Sequence, residues 1–286
     1  LAAHLRQAGF DVRAVTRRSN ANLAAADIAQ LASALRGVDT VFHLAARAHV
    51  MRENAADPRA AFHAANVTAT ERVARAAIEA GARRFVHAST AKVSGETTEP
   101  GRPFRIDDTP QPRDDYAGSK WRAEQSLQRI AGGSPMSVSG LRLPLVYGPG
   151  VRGNFRTLWE AVAQRQWLPF AAIEHRRRMI GLPNVVDAFA AAADAPPGTY
   201  FVADEENIST PQLVRSIAEA QRVEISLARV PVALLRVVGV VTGRSAAIHR
   251  LTSSREVDAG PFREASGWMP QRTLAQTLAV MARGES

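Results

Sequence analysis

The sequence contains no cysteine, which excludes disulfides, thiolate nucleophiles and thiolate-held metals together. Any chemistry must come from hydroxyls, amines, carboxylates or a bound cofactor. Lysine is nearly absent, occurring only at Lys92 and Lys120, although Lys and Arg together number 36. Tyrosine occurs three times. No apolar run reaches the roughly 20 residues of a membrane helix. The longest, near Val230 to Val241, is interrupted by Arg236. The chain opens at Leu1 inside a helical pattern, with no basic n-region and no apolar h-region, so no signal peptide is read and a cytoplasmic location is expected. There is no G-x-S-x-G elbow, which disfavours a serine hydrolase. His43, His49, His63, His87 and His175 lack the spacing of metal ligands, and no metal is expected.

What is present is ordinary globular material. Hydrophobic residues make up 46% and charged residues 22% of 286 positions, enough for a full core in one large domain or in a domain with a smaller lobe. The net charge of +9 raises the question of nucleic acid. Its distribution argues against that: the arginines are scattered, only Arg17–Arg18, Arg83–Arg84 and Arg176–Arg177–Arg178 are adjacent, and no aromatic residues interleave with them as stacking platforms.

Short apolar runs alternate with amphipathic stretches through the first half, the pattern of a parallel sheet covered by helices on both faces. Strands are predicted at Val12 to Thr16, Thr40 to Leu44, Phe85 to Ser89 and Ser137 to Leu143, with helices at Ala29 to Leu35, Pro58 to Ala80 and Asp115 to Ile130. This is an α/β, doubly wound arrangement of the Rossmann type. Beyond Gly148 a smaller lobe is expected, opening with a helix from Phe155 to Arg165. Short strands at Arg178 to Leu182 and Thr199 to Val202 are expected to return to the sheet, and helices to follow at Pro211 to Gln221 and Leu274 to Ala282. Residues 1–146 and 177–203 are read as the dinucleotide-binding domain, and residues 147–176 and 204–286 as a C-terminal substrate lobe.

Such a domain should open with a strand and a glycine-rich turn, which lets a pyrophosphate approach the first helix. The sequence LAAHLRQAGFDVRAVTRR reads instead as the end of that helix running into the second strand, so the first strand and glycine loop are missing from the pattern. Gly148, Gly150 and Gly153 match G-x-G-x-x-G, but the match contains Pro149 and falls late in the chain, where a Gly/Pro turn is the simpler reading.

The sharpest constellation is Tyr116-Ala-Gly-Ser-Lys120 at the start of a helix, with Ser89 and Thr90 at an earlier strand end. A spacing of four puts the phenol and the ammonium on one helical face. The ammonium is expected to pull the phenol pKa down toward neutrality, making it a usable acid or base. With so few tyrosines and lysines, a chance Y-x-x-x-K has a probability of about 2%.

With these residues the chain resembles the extended short-chain dehydrogenase/reductases, in particular the NAD-dependent epimerase/dehydratase family acting on nucleotide sugars. The carriers, in order, are His43-Leu44-Ala45-Ala46, Asn66-Val67, Ser89-Thr90, Val93-Ser94-Gly95, Tyr116/Lys120, and Arg142-Leu143-Pro144 through Tyr147-Gly148-Pro149-Gly150. The resemblance implies a catalytic set of Thr90, Tyr116 and Lys120. It implies cofactor contacts from Leu44, Ala45, Ala46, Asn66, Ser89, Tyr116, Lys120 and Pro144, with Asp27 and Ile28 near the adenine. Thr90, Asn154 and Arg177 are implied at the nucleotide sugar. A helix start and an arginine fork suit phosphate oxygens, although Asn154 also reads as a plain cap and Arg177 as part of a solvated basic run.

Two departures narrow the reaction. The sugar dehydratases of the family follow the threonine with an acidic pair, whereas Ala91 and Lys92 follow Thr90 here, leaving 4-epimerisation or 4-keto-reduction of a UDP-type sugar, as in surface polysaccharide synthesis. Arg17 stands where an acidic residue would bond the ribose of NAD, which favours NADP over NAD. A homodimer through Pro58 to Ala80 and Asp115 to Ile130 is also implied. The competing reading, prompted by the missing glycine loop, is a non-catalytic dinucleotide sensor or an inactive fragment.

Overall fold

The computed structural model describes residues 1–15, 23–48, 55–243 and 245–284. Helix α1 (Ala2–Gln7) is followed by α2 (Ile28–Leu35), capped by the Asp27 carboxylate, which accepts from the Ala29 N–H. Strand β1 (Thr40–His43) leads to α3 (Pro58–His63), a π turn over Ala64–Thr68 and α4 (Ala69–Glu79). The helix predicted from Pro58 to Ala80 is thus one helical path with a widened turn in its middle, where an extra residue is accommodated per turn. Strand β2 (Arg84–Thr90), α5 (Asp115–Ala131), β3 (Ser137–Leu143) and β4 (Leu145–Tyr147) come next. The rest of the chain forms α6 (Asn154–Ala163), β5 (Arg176–Gly181), α7 (Leu182–Ala191), β6 (Gly198–Phe201), β7 (Asn207–Ser209), α8 (Thr210–Gln221), α9 (Val232–Val241), α10 (Ser245–Leu251), α11 (Gly260–Ser266) and α12 (Leu274–Arg283).

The main sheet runs β1-β2-β3-β6, all parallel, with Thr40 opposite Arg84 and Thr90 opposite Leu143. Strand pleating sends Phe85 and Val86 to opposite faces. Phe85 packs with Leu31, Val73, Ala77 and Leu127 beneath α2, α4 and α5, while Val86 packs with Leu141, Val185 and Phe189 beneath α7. Helices therefore cover both faces, the doubly wound arrangement. A second, three-stranded sheet sets β5 between β4, parallel, and β7, antiparallel. Its core gathers Tyr147, Phe155, Met179, Ile208, Val214 and Leu278.

Two expectations change, and the turn reading of the late glycines holds. Residues 12–15 form no strand; among the described residues β1 pairs only with β2, and a strand exists only where a neighbour supplies its hydrogen bonds. The rest of that predicted strand, Thr16, lies outside the described residues. Of the two short strands expected to rejoin the main sheet, the one at Gly198–Phe201 does so beside β3, whereas Arg176–Gly181 belongs to the second sheet. The late glycine triplet is a turn: Gly148, Gly150 and Gly153 all take positive φ, at 149°, 75° and 68°, and a Cβ at Gly148 would meet Leu182 Cβ at 2.7 Å.

Candidate active site at the carboxyl edge of the sheet

Parallel register brings the ends of three strands to one edge. Leu44, Ala45 and Ala46 follow β1, Thr90 ends β2, and Pro144 follows β3. Doubly wound sheets take their ligands just beyond this edge. Leu44 is 48% exposed there, unusual for a leucine beside a strand end, while Ala45, Ala46 and Pro144 are half-buried.

Helix α5 delivers the other groups. Its first turn is fixed by Asp114, whose carboxylate accepts from the Ala117 N–H at 2.7 Å. Tyr116 is half-buried against Phe62, with ring centroids 6.3 Å apart. Burial pushes its pKa up to about 12, the Thr90 side chain eases ionisation as a hydrogen-bond partner, and the Asp114 charge opposes it. One turn on, Lys120 is 1% exposed and its Nζ has no hydrogen-bond partner among the described residues. Burial lowers its pKa to about 8, partly offset by Glu124.

This corrects the expected electrostatics. Burial dominates both groups: it raises the phenol pKa, so Tyr116 is neutral at pH 7, and it lowers that of Lys120, which still carries its charge there. The geometry expected of the trio is nonetheless present. Thr90 ends β2 close enough to influence the ionisation of the phenol, and Lys120 lies one turn on along the same helix.

Beneath the trio is a buried polar layer. His43 stacks on His87, with centroids 5.7 Å apart, and its Nε2 lies 3.0 Å from the Thr70 hydroxyl. Burial and the neighbouring Lys120 drive the His43 pKa down to about 3 and that of His87 well below its usual value, so both rings are neutral. Neither nitrogen of His87 has a partner among the described residues, and the ring lines a cavity of about 200 Å³ together with Glu124, Gln128 and Thr199. Glu124 receives two bonds from the Arg142 guanidinium, at 2.7 and 3.1 Å, and a short one from the Ser89 hydroxyl. Arg142 also donates to Ser94 at 3.1 Å, tying β3 to α5 and the loop after β2. Sequence reasoning missed Glu124, although its i+4 spacing from Lys120 continues the stripe begun at Tyr116.

Asn66 ties two parts of this edge together. Fully buried in the π turn, it accepts from the Arg47 N–H at 2.7 Å and donates to the Arg47 carbonyl at 3.1 Å and to Ser119 Oγ at 2.8 Å; Ser119 in turn donates to the Tyr116 carbonyl. One amide thereby links the loop after β1 to the turn of α5 that carries the phenol. The Ser89 hydroxyl, given to Glu124, points inward, so a cofactor contact at that position falls to its backbone. Lys92 does not stand free beside the trio but pairs with Asp114 and with Glu96 at 3.4 Å.

The other described candidates sit on other elements. Asp27 serves as the cap of α2, and Ile28 lines an outer groove with Glu71, Arg75 and Ile130. Arg17 lies outside the described residues. Asn154 is exposed as the first residue of α6, where Gly153 holds the cap position. Arg177 directs its fork to the carbonyls of Arg250 at 2.7 Å and Leu251 at 3.2 Å, and burial beside Arg255 lowers its pKa to about 10.

A family model described as "NAD dependent epimerase/dehydratase family" matches residues 1–203. The chain belongs to this family. A UDP-glucose 4-epimerase of Vibrio cholerae is 36% identical over 246 residues, which is 85% of this chain and 75% of the relative. Among solved structures, MoeE5 in complex with UDP-glucose and NAD aligns with a TM-score of 0.76 at 24% identity, covering 99% of this chain and 92% of that one. The UDP-glucose 4-epimerase of Thermotoga maritima aligns with a TM-score of 0.73 at 20% identity, covering 92% and 82%. Both likenesses are likenesses of fold.

Proposed function

We propose that the protein is a nicotinamide-dependent UDP-sugar 4-epimerase, with residues 1–146 and 177–203 receiving the dinucleotide and residues 147–176 and 204–286 receiving the nucleotide sugar. What carries the reading is the placement of Thr90 at the end of β2 and of Tyr116 and buried Lys120 one turn apart on α5, at the edge where such sheets take ligands. The relative from Vibrio cholerae supports the substrate class.

The residues fit the cofactor in kind. The orphaned Nζ of Lys120 needs acceptors, which ribose hydroxyls provide, and exposed Leu44 offers an apolar shelf. When bound, the oxidised nicotinamide supplies the hydride acceptor and a positive charge that eases ionisation of the phenol. Tyr116 takes the proton of the sugar hydroxyl as it is oxidised and returns it on reduction. Thr90 holds that oxygen in line. Lys120 anchors the ribose side, and Asn66 fixes the height of the phenol through Ser119. Elimination of water is disfavoured because the position two after Thr90 holds an ammonium, committed to Asp114 and Glu96, in place of an acid. Asn154 and Arg177 remain the proposed diphosphate contacts, and Asp27 and Ile28 the adenine contacts. The family's name points to NAD and Arg17 to NADP, so both belong in the assay. Pairing of two copies through the outer faces of α4 and α5 is part of the same reading.

The test is conversion of UDP-glucose or an N-acetylated relative to its C4 epimer, followed by product stereochemistry. Tyr116→Phe is expected to lower turnover by roughly 10³-fold with dinucleotide affinity little changed. Wild-type activity in that variant would remove Tyr116 from the reaction. Net oxidation of NADH or NADPH by a keto-sugar, without epimerisation, would move the assignment to a ketoreductase.

A further inference from the structure

Far from the trio in sequence, helix α9 presents its apolar side to solvent. Leu235 and Gly239 are buried on the core-facing stripe, whereas Leu234, Val237, Val238, Val240 and Val241 are 53%, 58%, 47%, 71% and 81% exposed. Leu234, Val237, Val238 and Val241 follow the i, i+3, i+4, i+7 spacing of a single face. That face is held firmly. Gly239 lets α10 cross so closely that a Cβ there would meet Ile248 Cγ1 at 2.9 Å, and Leu235 is anchored in the core of the second lobe.

The charge around this face has one sign. From Ile225 to Arg255 the sequence holds five arginines and no acidic residue. Arg229, Arg236 and Arg250 are exposed, and none forms an ion pair among the described residues. An apolar helical face bordered by arginines complements a surface that is apolar below and anionic above. Stacking two copies through the same face would set arginines against arginines, which is unfavourable. Among the described residues no helix is long and apolar enough to cross a membrane, and α9 has only 10 residues, so it would lie in the interface plane.

We propose that α9, with the arginines beside it, docks the protein on an anionic lipid surface, burying Leu234, Val237, Val238 and Val241 at the boundary between headgroups and acyl chains. The protein would then be a peripheral one, held by apolar burial and electrostatic attraction together, and its binding would weaken as salt rises.

Flotation with vesicles tests this. The wild-type protein is expected to float with phosphatidylcholine–phosphatidylglycerol vesicles, weakly with phosphatidylcholine alone, and less in high salt. Val237→Asp combined with Val241→Asp should reduce partitioning by roughly tenfold or more, and Arg236→Gln with Arg250→Gln by a few-fold. Because these side chains face solvent, thermal transition and turnover of a soluble substrate should match wild type in each variant. A wild-type protein that stays in the soluble fraction with anionic vesicles, or an aspartate variant that floats as well as wild type, would overturn the proposal. So would light scattering showing that the aspartate variant halves the particle mass, since the face would then be covered by a second copy.

Discussion

At the scale of single residues, the lysine is the least comfortable group in the molecule. Lys120 is buried, without a hydrogen-bond partner, and has a pKa lowered from 10.5 to about 8. A lowered folded pKa means that the unfolded chain holds more protons between about pH 8 and 10.5, so this group costs stability in full below pH 8 and the cost fades as pH rises through that window. Lys120→Met, which keeps the volume and removes the charge, should therefore raise the thermal midpoint by a few degrees at pH 7 while abolishing turnover. Calorimetry at pH 7 and pH 10 checks it: the stabilisation should shrink at the higher pH. Tyr116 and Lys120 stand out in the sequence because rare residue types at a helical spacing are hard to produce by chance. Their electrostatics were not legible, because burial depends on what packs over them, and Phe62 and the two histidines arrive from distant parts of the chain.

Elements show a different limit. Strands β1, β2 and β3 were readable to within a residue or two, since each is an apolar run flanked by helical patterns. The segment at residues 12–15 had the same local signal and forms no strand, because local propensity cannot supply a pairing neighbour. The π turn in the helix from Pro58 was equally invisible, yet it places Asn66 where one amide bonds both Arg47 and Ser119. Asn66→Ala would leave Ser119 and the Arg47 backbone short of partners at a cost of about 1–3 kcal/mol. If Asn66 acts by positioning Tyr116, kcat should fall roughly tenfold with KM nearly unchanged. An equal loss in both, tracking only the folded fraction measured by circular dichroism, would reduce it to a structural residue.

Over the whole molecule, one buried carboxylate just past β6 ties the main sheet to the second. Asp204 accepts from the Tyr147 hydroxyl at 2.8 Å, the Gly181 N–H at 2.9 Å and Asn184 Nδ2 at 2.7 Å, while Asn184 also bonds the backbone at residues 271 and 272 before α12. No local pattern announces such a clasp, since its members are separated by up to 125 residues. The neutral stack of His43 on His87 under the main sheet has a global consequence as well. With folded pKa values well below the ordinary 6.5, the rings favour the native state fully above that pH, and this contribution is lost as pH falls below about 6.5, for His43 down to about 3. Urea midpoints measured from pH 7 down to pH 4 should fall steadily, and His87→Gln should flatten the slope. The protein is thus built with an acid fuse: protons forced onto imidazoles packed beside Lys120 would push apart the strands that carry the reactive edge, so acidification would dismantle activity from underneath.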